Sequence, residues 1–250
     1  MPSSVRVRLA IALALLCVTA TACGGVFKTQ YEYEEELYLS LDGSATLNVN
    51  ASVASLVALR GVEWSVDPLA RLDRSVVRKA FEGAGVSVSG VSLSRRDGRR
   101  FVHVSLEVPS LAALGNLSPF AWSTYRLERA GDVVRFRQAV GAAVGKDVGE
   151  VGWSGREAVA FRLHLPSEIP FHNSPETIQR GNILVWEQPL SERLKGAPVD
   201  IQVDLEPSSI LYTTLMLFGA TIVAAAAVFA LGVWWLMRRG RDADAVTSGP

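Results

Sequence analysis

Residues 31–53 read YEYEEELYLSLDGSATLNVNASV. Tyr31, Tyr33, Leu37, Leu39 and Leu41 fall on one side of an extended chain, while Glu32, Glu34, Glu36 and Ser40 fall on the other. Asp42-Gly43 supplies a tight turn, after which Ala45, Leu47, Val49, Ala51 and Val53 alternate with Ser44, Thr46, Asn48, Asn50 and Ser52. Period-two alternation on both sides of an Asp-Gly pair predicts a β-hairpin with one buried and one solvated face. The Glu-rich side reads as the solvated one.

Two more hairpins follow by the same logic. Val86–Leu93 and Phe101–Val108 flank Asp97-Gly98, with a change of phase at Gly90 that predicts a bulge. Tyr125–Glu128 and Val133–Val140 flank Gly131-Asp132. Single strands are predicted at 158–165, 183–186 and 198–205, with a short helix at 190–194 before the last. Between the first two hairpins, Asp67-Pro68 predicts a helix start, with Leu69, Leu72, Val76, Ala80 and Phe81 as its apolar stripe and Gly83 and Gly85 as its stop. The segment 110–122 reads as a short helix or loop ending in Pro119-Phe120-Ala121-Trp122, and the glycine-rich 141–155 as a mobile loop. The fold class predicted is α+β, a largely antiparallel sheet of about eight strands with one main helix packed on it.

Two apolar runs bracket this domain. Arg6 and Arg8 precede Leu9–Val18, and Thr19-Ala20-Thr21-Ala22-Cys23-Gly24 follows, the three-part layout of a secretory signal over 1–22. Its ending fits two readings: cleavage by the small-x-small rule, or a bacterial lipobox that leaves Cys23 lipidated as the first mature residue. From Ile210 to Met237 the chain carries no charge and is then closed by Arg238, Arg239 and Arg241. That stretch exceeds the ~20 residues needed to cross a hydrocarbon core, so a transmembrane helix at 209–237 is expected. Trp234 and Trp235 sit at the level of an aromatic belt, and Arg238 and Arg239 obey the positive-inside preference. The expected topology is a domain at 23–208 outside a bacterial cytoplasmic membrane, with the tail 238–250 in the cytoplasm.

Charge and chemistry narrow the function. The chain has 25 basic and 25 acidic residues, and without the charges flanking the apolar runs the stretch 24–208 keeps 20 basic and 23 acidic. Such a balance gives no electrostatic reason to bind nucleic acid. The two cysteines, Cys17 and Cys23, lie outside the exported stretch, which therefore folds without disulfides. His103, His164 and His172 show no metal-ligand spacing, although His164 and His172 together with Glu168 form the one combination worth locating. No nucleophile elbow, phosphate-cradling loop or spaced carboxylate pair is present, so neither an enzyme nor a cofactor is expected. The densest charge is Arg95-Arg96-Asp97-Gly98-Arg99-Arg100, four arginines around one predicted turn. It reads either as a solvated hairpin tip or as a site for an anionic headgroup at the membrane nearby.

Ile169-Pro170-Phe171-His172-Asn173-Ser174 followed by Gly181-Asn182-Ile183-Leu184-Val185-Trp186, set between a lipobox-like signal and an arginine-capped apolar helix, resembles the LppM-type lipoproteins of mycobacteria. What the resemblance implies is an envelope-associated or lipid-binding module with no catalytic role. The function expected is a membrane-anchored lipoprotein binding a lipid or apolar ligand at the membrane surface, through Arg95, Arg96, Arg99, Arg100, Phe120 and Trp122. The alternative is a scaffold subunit of a membrane protein complex, and an extracytoplasmic hydrolase would need a deep pocket with converging polar groups.

Overall fold

A computed structural model of the chain describes residues 29–247, with side chains as far as Trp235. The signal segment, Cys23 and the side chains of Arg238 and Arg239 lie outside the described residues. Among the described residues ten strands build two sheets. β1 (Gln30–Leu39), β2 (Ala45–Ser52), β3 (Ser87–Arg96), β4 (Arg99–Val108), β7 (Glu157–His164) and β9 (Ile183–Pro189) form a six-stranded sheet in the order β3-β4-β2-β1-β7-β9. β5 (Ser123–Ala130), β6 (Val133–Val140), β8 (Phe171–His172) and β10 (Val199–Leu205) form a four-stranded sheet in the order β5-β6-β10-β8. The single sheet expected from sequence is thus two sheets, packed face to face. Tyr125 and Gln138 of the smaller sheet reach Glu35 of the larger one.

All three predicted hairpins are present, and the ladder of β3 against β4 shifts between Val88 and Gly90 as the phase change required. Asp97 and Gly98 both take left-handed backbone (φ 50° and 73°), which suits the right-handed twist of the strands they join. The main departure is helical. Asp67 caps a single turn by accepting from Leu69 N at 2.8 Å, and Leu69 is 81% exposed. The helix itself, α2, runs Arg74–Phe81 and buries Val77 and Phe81. A second helix, α1 (Val53–Arg60), continues directly from β2 with every residue buried. Helix α3 spans Leu190–Leu194, as expected.

Helix α1 is held at both ends. Ser52 Oγ accepts from Ser55 N at 2.9 Å, and Gly61, left-handed at φ 69°, returns its N–H to Val57 O. The loop 141–156 closes over its C-terminal end, with Val144 N donating to Leu59 O and Gly145 N to Ala58 O, both at 3.0 Å. This loop, expected to be mobile, is instead fastened to the core. Ser52→Ala is expected to cost about 1 kcal/mol in denaturant unfolding, because the N-terminal donor it satisfies is buried. An unchanged midpoint would show that the cap is dispensable.

The last helix, α4 (Ile210–Thr247), contains one stretch, Ile210–Trp235, long and apolar enough to cross a membrane by length and composition, and among the described residues nothing covers it. Its start is tied to the domain. Ile210 N donates to Pro166 O and Glu206 N to Glu168 O, each at 3.0 Å, while Ser209 Oγ accepts from Tyr212 N at 3.1 Å.

Candidate functional site

Topology decides which residues lie where α4 begins. The Asp42-Gly43 turn closes one end of the six-stranded sheet, and Val108, paired with Ala45, lies there too. β7 runs beside β1 with contacts that advance together, Glu34 to Arg162 and then Glu36 to His164, so Pro166 emerges at the same end. In the smaller sheet Leu205 pairs with Val134, next to the Gly131-Asp132 turn. Asp97-Gly98 lies at the other end of β4. Ten residues of strand (Arg99–Val108) put that turn about 30 Å from the start of α4.

This corrects the reading of the arginine turn. It lies far from the origin of α4, and its four arginines divide into two cross-strand pairs, Arg95 with Arg100 and Arg96 with Arg99. Arg99 is buried, donates its Nε to Glu32 Oε1 at 3.1 Å and its NH1 to Gly152 O at 2.7 Å. Arg100 is also buried and pins the chain at Ser65 O and Ala70 O. Only Arg95 and Arg96 are exposed, and Arg96 donates to Tyr31 O and packs over the Phe101 ring. Phe120 and Trp122, expected at the ligand, are core residues at 0% and 8% exposure. Trp234 and Trp235 are exposed on α4.

Two features that the sequence did not disclose are polar. The first lies on the outer face of the larger sheet, where one side chain from each strand joins a line across all six in spatial order. Ser94 Oγ meets His103 Nε2 at 2.8 Å, and His103 Nδ1 meets Asn50 Oδ1 at 2.9 Å. Asn50 Nδ2 donates to Glu34 Oε2 at 3.3 Å, Arg162 Nε donates to Glu34 Oε1 at 2.6 Å, and Arg162 reaches Glu187 at 3.8 Å. Since the Asn50 amide donates to a carboxylate, its oxygen must face a proton on His103 Nδ1, leaving Nε2 to accept from Ser94. Burial, reinforced by Arg96, pushes the His103 pKa down and keeps the ring in this neutral form.

Toward the α4 end the same face opens into a cleft of about 450 Å³ lined by Tyr38, Thr46, Glu107, Pro109, His164 and Pro166 among others. The His164 ring stacks on Tyr38 (3.9 Å between centroids, 15° between planes) and bonds Glu36 through Nε2 at 2.7 Å. His164 makes no hydrogen bond to a cleft hydroxyl among the described residues. His172 lies on β8 of the other sheet and does not share a site with His164. A second cleft, about 620 Å³, opens at the same end between Leu41, Leu111, Leu127, Arg126, Arg129 and Pro207.

The second polar feature is buried between the sheets. Glu35 accepts from Tyr33 OH, from Tyr125 OH at 3.1 Å and from Gln138 Nε2 at 3.1 Å. Beside it, Arg60 and Arg193 lie 4.4 and 4.7 Å from the centre of the Trp122 ring. Arg60 also donates to Pro119 O and Ser118 O, and Arg193 to Gly141 O and Ala197 O. Within this cluster Arg193 Nε and Trp122 Nε1 are buried with no hydrogen-bond partner among the described residues.

No family model and no curated protein matches the chain. Among solved structures it is similar to the NMR structure of the folded domain of Mycobacterium tuberculosis LppM, with 14% sequence identity and a TM-score of 0.41, over 76% of this chain and 98% of that one.

Proposed function

We propose that the chain is a membrane-anchored envelope protein whose domain meets lipid headgroups with the end from which α4 emerges, and that it assists at the membrane surface without catalysing a reaction. One observation carries this reading: an uncovered 26-residue apolar stretch starts at a residue bonded to the domain itself, through Ile210 N and Pro166 O. At ~1.5 Å per residue the stretch reaches about 39 Å, enough to cross a ~30 Å hydrocarbon core with some tilt. Both clefts then open toward the headgroups, and the larger one carries Arg126 and Arg129 together with Asp42 and Glu128 beside its apolar walls. On this reading the domain faces outward, the tail from Arg238 is cytoplasmic, and Cys23 is the site of a second, lipid anchor.

Chains reconstituted with a photoactivatable phospholipid are expected to be labelled around Tyr38, Leu127 and Pro207 and not at residues 95–100. Labelling concentrated on 95–100 would reverse the orientation. Carbonate washing should leave the full chain in the membrane, while a chain ending at Ser208 should be released unless Cys23 carries lipid. The filled core, with Phe120 and Trp122 inside it, favours a second reading for the outer sheet face: a flat polar surface on which a membrane protein partner docks. Crosslinking in native membranes that returns one stoichiometric protein would support it.

A further inference from the structure

At the end of the larger sheet remote from α4, Arg95 and Arg100 stand directly opposite each other in the β3–β4 ladder. Like charges in that relation repel, so a fold that keeps both gains whenever an anion settles between them. Neither forms an ion pair among the described residues, although Asp67 lies close enough to Arg100 to favour its charge. Glu32 is taken by Arg99, Asp97 lies at 3.8 Å from Arg96, and Arg95 has no hydrogen bond or ion pair among the described residues. Arg100 is 9% exposed, held in place at Ser65 O and Ala70 O, and its Nε is buried without a partner. These two arginines rim a pocket of about 260 Å³ whose walls include Leu72, Leu93 and Phe101. Charge on the rim over an apolar floor describes an amphipathic anion.

We infer that this pocket binds a small soluble carboxylate with a short apolar tail, its oxygens bridging Arg95 and Arg100 and its tail lying against Leu72 and Leu93. Arginine suits the role because its planar fork of donors matches a carboxylate's two oxygens. With about 30 Å of strand between this pocket and the start of α4, the ligand comes from solution and not from the bilayer that holds the chain. The inference is independent of what the α4 end binds.

The test is ligand-observed saturation-transfer NMR on the full chain in zwitterionic nanodiscs, with hexanoate, hexanol and inorganic phosphate as probes. Hexanoate is expected to saturate with a Kd at or below ~1 mM. Hexanol, which lacks the charge, and phosphate, which lacks the tail, should each bind at least ~10-fold more weakly. Arg95→Gln, which breaks no contact of the fold, should weaken hexanoate ~10-fold, whereas Arg180→Gln, an exposed arginine that does not line this pocket, should leave it unchanged. Hexanoate that fails to saturate, that binds Arg95→Gln as tightly, or that is matched by either control probe overturns the assignment.

Discussion

Glu32→Ala is expected to lower folding stability by about 3–5 kcal/mol, since it strips a buried arginine of its counter-charge. Glu32 is fully buried, and its Oε1 lies 3.0 Å from Arg99 NH2 while Oε2 accepts from Trp153 Nε1 at 3.2 Å. Removing the carboxylate therefore takes the buried counter-charge from the Arg99 guanidinium and the acceptor from the Trp153 indole N–H. Desolvation of the surviving charge, more than the lost attraction, sets the size of the effect. The loss has a place as well as a magnitude. Arg99 also holds Gly152 O at 2.7 Å, so hydrogen exchange should accelerate across 148–156, where the loop loses its fastening, before it does so in β2. Replacing both partners by apolar residues, Glu32→Leu with Arg99→Met, is expected to cost less than either single change. A double variant as unstable as the sum of the singles would show that the pair is not the coupled unit described here.

That pair also marks where sequence reading stopped. The hairpins were legible because alternation and turn chemistry are local signals: Asp42-Gly43, Asp97-Gly98 and Gly131-Asp132 each sit between strands that pair across them. The α4 span was legible for the same reason. Helix α1 was not, because a helix buried on all sides has no polar face, and the apolar run VASLVALR prolongs the β2 pattern without a break in composition. The start of α2 was misplaced because Asp67 and Pro68 carry every local mark of a cap yet close only one turn. Burial of Glu32 and Glu35 was invisible in principle. Their partners Arg99, Trp153, Tyr125 and Gln138 lie between 67 and 121 residues away, so a charged stripe on β1 reads as a solvated face until the second sheet and the loop 141–156 are in place. The arginine turn failed in the complementary sense. Spacing showed four neighbouring cations, while the fold consumed Arg99 and Arg100 in pinning two loops and left Arg95 without a partner.

Glu35 should give stability a component that falls with rising pH. Burial raises its pKa above the usual carboxyl value, and the hydrogen bonds from Tyr33, Gln138 and Tyr125 oppose that rise without cancelling it. A carboxyl that holds its proton more tightly when folded contributes stability below the unfolded pKa and loses it as pH climbs through the folded one. The contribution of Glu35 to folding stability should therefore fall across the window that opens at the unfolded carboxyl value, about pH 4.3, and closes at the raised value in the fold. Glu35→Gln cannot titrate, so the stability difference between natural chain and variant should shrink with rising pH over that window and stay flat above it. Other ionisable groups that differ between folded and unfolded chains contribute alike to both proteins and cancel in the difference. Around the carboxyl stand Tyr33 and Tyr125, both driven well above the ordinary phenol range by burial, and Arg60 and Arg193 on the Trp122 ring. None of these sheds its proton near neutral pH, so the slope belongs to Glu35. Glu35→Ala separates charge from hydrogen bonding: it leaves three interior donors without their acceptor and should cost about 3–5 kcal/mol at the acid end of the window, with the same decline toward higher pH as Glu35→Gln. Parallel denaturation curves for the natural chain and Glu35→Gln from pH 4 to pH 8 would mean that the three donors fully offset burial.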